Sequence, residues 1–412
     1  MLFAVAAVWA QAPKKEWKDR AEYDLYEAAL KQTDNAKKLE LLNTWQTKYP
    51  NTNFKVERLG LFLVTYQALK QFDKAVETGN EILAADPKNL QALYVTVASA
   101  PGLAKPTPEL MGIVEKAART LADSIDELKP ADVDQAKWNE GKPAIEAMAH
   151  NTLGSIAQNR KDYATAEKEY ILSLKAVPQN GAVSYSLGTV ILLQKNPETQ
   201  SAALYHIARA ASYTGPGALP DAGRKDVEKY LTSTYTKFHG SAEGLAELRK
   251  TASTQVMPAE GFKIASGAEI TARKEEEFKK SNPMLALWMT VKGELTGANG
   301  PAYFDSSVKG ALLPGGAGGV TKFKGKLISM TPPKAPKQLV LGITDASTPE
   351  VTLNLDEALA GAAPVGTELE FEGVASSFTA EPFKVIFDVE KEKLTGWPAP
   401  AVKKRVAPRK KK

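Results

Sequence analysis

Two Leu-Gly pairs, Leu153-Gly154 and Leu187-Gly188, stand 34 residues apart, and the stretch between them has the parts of a helical hairpin. In "AHNTLGSIAQNRKDYATAEKEYILSLKAVPQN", residues 149–180, the first pair is followed by Ala166, Tyr170 and Pro178. Small residues permit two helices to cross closely, large apolar ones surround the crossing, and a proline ends the second helix. A unit of this size cannot bury its apolar face alone. Units with a fixed period of this length therefore stack on one another.

Counting Pro178 as position 32 makes residues 147–180 one unit. Leu153 and Gly154 then fall at seven and eight, Ala166 at twenty and Tyr170 at twenty-four. These landmarks resemble the tetratricopeptide repeat family, and the resemblance extends over about half of the chain. The next unit, 181–214, has Leu187 and Gly188 again at seven and eight, with its second helix displaced. Upstream, Pro87 defines a unit from 56 to 89, and Pro50 closes a weaker one, roughly 19–52. The 57 residues from 90 to 146 hold one unit with an insertion marked by Pro101, Pro106, Pro108, Pro130 and Pro143. Within it, Thr107 and Pro108 suit the cap and first turn of a helix reaching about Lys129. Residues 224–250 provide a closing pair. The expected fold is mainly α: a solenoid of about four to five helical hairpins over 13–258, then a small β-barrel.

In the family this chain resembles, positions two, five, nine, twelve and thirteen usually face a concave groove. Here they are Met148, Asn151, Ser155, Gln158 and Asn159, then Ala182, Tyr185, Thr189, Leu192 and Leu193. The resemblance implies a peptide- or protein-binding groove with Asn151, Ser155, Gln158, Asn159, Tyr185 and Thr189 among its contacts. The set suits backbone amides and apolar side chains. It lacks the Lys and Arg pattern that would clamp a terminal carboxylate. The same residues would equally serve to solvate the face or to touch the inserted segment.

From residue 320 the periodicity changes to short β-rich runs: "KFKGKLISM", "QLVLGI", "EVTLNL", "ELEFEGVASSF" and "FKVIFDVEKEKL". A short helical run, LDEAL at 355–359, falls between the third and the fourth. This layout over 320–397 resembles an OB-fold barrel. The segment 259–319 reads as a connector with helices from Ala268 to Lys280 and from Pro283 to Leu295. Its four glycines within 315–319 read as a flexible joint. OB-folds often bind single strands through a basic groove and exposed aromatics. Residues 320–396 carry eight lysines against eleven acidic residues, and Phe371, Phe383 and Phe387 occupy apolar strand positions. That balance disfavours nucleic acid, since electrostatics supply nearly all non-specific affinity for it.

The formal charge of +5 is concentrated at the end: the last ten residues, KKRVAPRKKK, contain seven basic residues and no acid. A tail of this kind, 398–412, is either a solubilising end or a contact for an anionic surface. The first residues, MLFAVAAVWAQA, look like the apolar core and cleavage end of a signal peptide over 1–12, or else an apolar start that packs on the first helix. The first alternative places the protein in the periplasm or outside the cell. No stretch approaches a transmembrane anchor.

Catalytic chemistry finds little support. With no cysteine, disulfides, thiolate metal sites and a Cys nucleophile are excluded. His150, His206 and His239 lack metal-ligand spacing. Ser306-x-x-Lys309 matches a nucleophile motif but has no Lys-Thr-Gly partner after it. The glycine cluster has neither the ending nor the setting of a phosphate loop. The reading is a non-enzymatic scaffold with no metal, no cofactor and no small-molecule substrate, whose partner is a protein or peptide. The alternative is a nucleic-acid-associated protein using the barrel and the tail.

Overall fold

In the computed structural model, which describes residues 15–399, the chain forms two units, one ending at Gly267 and one starting at Ala268. The apolar start, 1–14, and the basic tail from residue 400 lie outside the described residues.

The first unit is a run of helical pairs: α1 (Arg20–Lys31) with α2 (Asn35–Lys48), α3 (Lys55–Ala68) with α4 (Phe72–Ala85), and α5 (Leu90–Ser99) with α6 (Pro108–Ser124). Then follow α7 (Gln135–Asn159) with α8 (Tyr163–Ala176), α9 (Gly181–Leu193) with α10 (Gln200–Ser212), and α11 (Asp221–His239) with α12 (Leu245–Thr254). Helix starts follow local chemistry. The side chains of Asp19, Asp34, Asn89, Thr107, Asp134, Asp162 and Asn180 each accept first-turn amides that would otherwise lack a partner.

The 34-residue period is written in the backbone as well. Lys70, Lys161 and Lys195 all stand at position fifteen of their units, and all adopt left-handed φ values of 56°, 64° and 55°. Each ends the first helix of a pair. The Lys amides donate to Gln67, Gln158 and Leu192 carbonyls at 3.0, 2.9 and 3.1 Å. One residue on, Gln71 and Asp162 donate back to Tyr66 and Ala157 at 2.8 and 2.9 Å, satisfying carbonyls the helix end leaves free.

The expected tight crossing is present. A Cβ on Gly154 would stand 2.8 Å from the Tyr170 ring, and one on Gly188 would stand 2.7 Å from Ile207. Ala166 is fully buried. Two features differ from the sequence reading. Helix α7 begins at Gln135, well ahead of residue 147, and carries Pro143 in its interior. Its added turns are held by Trp138, buried with Leu93, Leu121 and Leu128 in one cluster. The insertion thus becomes α5, α6 and the start of α7.

Beyond α12 the chain doubles back as a strap, 255–266. The buried Arg209 guanidinium holds it, donating to the Ala252 and Gln255 carbonyls at 3.1 and 3.0 Å and to Pro178 at 3.0 Å. Tyr205 donates to Gln255 at 3.1 Å, and the Ser201 hydroxyl accepts from the Ile264 amide at 3.0 Å. Val256 and Met257 pack against the cluster of α8 and α9, while Phe262 and Ile264 join that of α10 and α11.

The second unit contains α13 (Gly267–Ser281, beginning one residue before the boundary), α14 (Pro283–Thr296), α15 (Gly300–Tyr303) and seven strands. The strands are β1 (Leu312–Leu313), β2 (Phe323–Thr331), β3 (Gln338–Gly342), β4 (Val351–Leu355), β5 (Glu368–Phe371), β6 (Gly373–Ala380) and β7 (Phe383–Val389). They form one curled sheet, a half-barrel, in the order β1-β6-β7-β4-β3-β2-β5. Neighbours are antiparallel except β4 and β7.

Several expectations for this region need correction. "ELEFEGVASSF" is not one strand: it breaks at Glu372, so β5 pairs with β2 while β6 pairs with β7. LDEAL does not form a helix. Leu355 completes β4 opposite Val389, and Leu359 turns into the core with its amide on the Pro336 carbonyl at 3.0 Å. The segment 259–319 is not a free connector either. Trp288, Val291, Leu295, Phe304 and Val308 are buried in the same core as Phe323, Phe371 and Phe387. Leu312 and Leu313 pair with β6, and the Gly315–Gly319 stretch closes as a turn in which the Ala317 amide reaches the Pro314 carbonyl at 3.0 Å.

Lys292 on α14 adds an ion pair with the fully buried Glu350 at 2.6 Å. Burial alone would raise the Glu350 carboxyl. The donors Lys292, Thr344 and Ile343 outweigh it and hold the group below its usual range.

Candidate functional site

Helix α7 places Asn151, Ser155, Gln158 and Asn159 at i, i+4, i+7 and i+8, which a 3.6-residue period gathers on one face. Ser155 and Asn159 are exposed; Asn151 and Gln158 are half-buried. The Tyr170 hydroxyl, reaching through from α8, donates to Gln158 Oε1 at 2.7 Å. Burial raises its pKa, partly offset by the hydroxyls of Ser186 and Ser155 beside it. Ser155 belongs to α7 and Ser186 to α9, so the two first helices meet around this phenol.

On α9, Tyr185 is half-buried and its ring lies edge-on to Tyr230 of α11, with centroids 6.5 Å apart. Thr189 is committed locally: its hydroxyl donates to the Tyr185 carbonyl at 2.8 Å. Leu193 is exposed. The six residues expected from the sequence therefore lie on two successive first helices, four on α7 and two on α9.

The same face continues upstream through residues not singled out from the sequence. Glu57, Gly60 and Val64 occupy positions two, five and nine of the 56–89 unit. They line a cavity of about 310 Å³ together with Leu61, Asn89 and Gln91. Tyr94 on α5 and Tyr230 on α11 expose 43% and 42% of their surface, far more than a phenol ring shows in a packed core. Applying one position count to every unit would have found Glu57, Gly60, Val64 and Tyr94. Tyr230 sits outside the counted units and carried no such signal.

Other chemistry-bearing residues are occupied structurally. His150 pairs with Glu169 at 2.7 Å, and His239 Nδ1 lies 2.7 Å from the Ala265 carbonyl. His206 is buried, and desolvation, reinforced by the Arg209 charge, pushes its pKa down to about 4. Lys309 pairs with Asp305 at 3.3 Å, whereas the Ser306 hydroxyl meets that of Ser307. Among the described residues no group of His and acidic side chains is placed to hold a metal ion.

In the sheet, Phe323, Phe371 and Phe387 are fully buried, and Phe378 and Phe383 half-buried. Lys324 bridges Glu368 and Glu370, Lys391 pairs with Glu357 and Lys393 with Glu372. No helix among the described residues is long and apolar enough to cross a membrane.

No protein-family model matches this sequence, and no curated protein matches it.

Proposed function

We propose that the first unit is a tetratricopeptide-type scaffold that holds an extended peptide or protein partner on the face built by its first helices. The observation that carries this reading is the composition of that face. Ser155, Asn159, Tyr94, Tyr230 and Leu193 are exposed and uncharged on the consecutive first helices α5 to α11, and the charged Glu57 enters the face only further upstream, on α3. Amide and hydroxyl groups suit a peptide backbone, and exposed phenol rings bury large area at small entropy cost. The left-handed lysine at position fifteen of three units supports a single repeat register.

The second unit is read as an OB-like domain. A meander β2-β3-β4, a parallel β4–β7 pair and a run, 368–380, joining the β2 edge to the β7 edge support that reading. Partnered lysines and buried phenylalanines favour a protein-facing role over nucleic acid for it. The protein acts without catalysis, in the envelope or the secreted space.

Photo-crosslinking side chains placed at Ser155 and Asn159 in the native cell should trap one partner. The same group at Lys175, exposed on a second helix, should not. Equal trapping at all three positions would overturn the groove. Intact-mass analysis checks export: a mature start near Gln11 or Pro13 is expected, and an unprocessed cytosolic product would refute it.

A further inference from the structure

Among the described residues the sheet leaves an edge open along β6. Strand β1 covers β6 only at Gly373 and Val374, and Gly310 and Ala311 pair with Ala375. From Ser376 to Ala380, β6 has β7 on one side and no backbone partner on the other among the described residues. Ser376, Ser377, Thr379 and Ala380 are exposed. Phe378 turns inward onto Phe304, with ring centroids 4.8 Å apart.

Soluble proteins usually blunt such an edge with charge, proline or a covering segment, because a row of free N–H and C=O groups pairs with any extended chain. The other edges here are blunted in those ways. The Glu370 amide and carbonyl of β5 exchange bonds with Thr395 at 3.0 and 2.8 Å. Strand β2 runs only from Ile328 to Thr331 beyond its pairing with β5 and the 366–367 turn, and ends at Pro332-Pro333. The β6 edge, Ser-Ser-Phe-Thr-Ala, has no charge and no proline within its five residues, and Glu381-Pro382 follow in the turn to β7. A bulge between Ala375 and Ser377 marks where the covered part of β6 gives way to the open part.

We infer that the Ser376–Ala380 edge accepts an extended, uncharged segment of a partner polypeptide as an added strand. Main-chain bonds would supply affinity, and an uncharged segment fits because no side chain of the edge offers a counter-charge to a buried ion. The site is separate from the helical face and stands or falls independently of it.

Hydrogen exchange of the full chain, read by mass spectrometry, tests this with an acetylated and amidated Thr-Val-Thr-Val-Thr-Val peptide in millimolar excess. The amides of 376–380 that face away from β7 should exchange at least tenfold more slowly with the peptide, and unchanged with a version N-methylated at alternate residues. Amides of 151–159 on α7 should not respond, which separates this site from the groove. Ser377→Lys should abolish the protection while the thermal midpoint stays within about a degree. Protection that persists in S377K, or is equal with the N-methylated peptide, would overturn the strand-addition mode. Slow exchange at 376–380 that rises with protein concentration alone would replace the partner segment with a second copy of this chain.

Discussion

The two units bury their apolar residues in different ways. In the helical unit the core is a chain of adjoining clusters, each drawn from neighbouring helices: Ala29, Leu42 and Trp45 at one end, Leu231, Leu245 and Leu248 at the other. In the second unit a single cluster runs from Trp288 to Leu394 and takes residues from almost every element. The contrast teaches where cooperativity comes from. Helical pairs owe stability to their nearest neighbours, whereas the half-barrel stands or falls as one body.

The largest expected effect sharpens that contrast. Trp288 is fully buried, edge-on to Phe323 and Phe383 at 5.3 and 5.9 Å. Trp288→Ala should destabilise the second unit by about 3–5 kcal/mol. Near-ultraviolet dichroism and proteolysis should show the sheet lost while the helical signal of the first unit persists. A variant that melts like the parent would return α14 to the status of a connector.

Acid acts on the other unit. His206 is neutral when folded because burial and Arg209 push its pKa down to about 4, against 6.5 when exposed. Between these values the unfolded chain binds the extra proton, so stability falls as pH drops from about 6.5 to about 4. Above that window the group is neutral in both states and contributes no slope. The full loss is about 3 kcal/mol. Urea titrations at pH 7 and pH 4.5 should show it, and His206→Gln should flatten this part of the profile. An unchanged slope in the variant would remove His206 from the account.

Ala166 probes a single crossing. Ala166→Leu should overpack α7 against α8 at a cost of about 1–3 kcal/mol, read from the melt of the helical unit. An unchanged midpoint would mean that the pair repacks freely and that the period does not fix its geometry.

The smallest effect is the most diagnostic of repetition. Lys70→Gly, Lys161→Gly and Lys195→Gly each relieve a left-handed β-carbon and should each stabilise by about 0.5–1 kcal/mol. Similar gains at all three positions would confirm one register. A gain at only one would break it.

These differences also explain what the sequence made readable. Leu153, Gly154, Ala166 and Tyr170 act within one hairpin, so their spacing alone announces the crossing they form. Of the candidate face, the α7 and α9 residues were legible because a position count suffices. Tyr230 was not, since its place is set by packing against Tyr185 across helices. The extent of the second unit was hidden for a related reason. Trp288 lies on a helix in sequence, and only long-range contact with Phe323 and Phe383 assigns it to the sheet. The break at Glu372 was equally invisible, because β5 and β6 differ in their partners and not in their residue types.

The strap has a mechanical consequence. Arg209, Tyr205 and Ser201 tie it to α10 across 46 to 63 residues of chain. A pull transmitted through the C-terminal end of the helical unit therefore loads α10 at the centre of the last pairs before it reaches α12. The terminal hairpin is shielded from peeling, and extension must begin in the unstrapped pairs nearer the N-terminus, where each hairpin can part from its neighbour in turn. The unit is a spring with one stiff end.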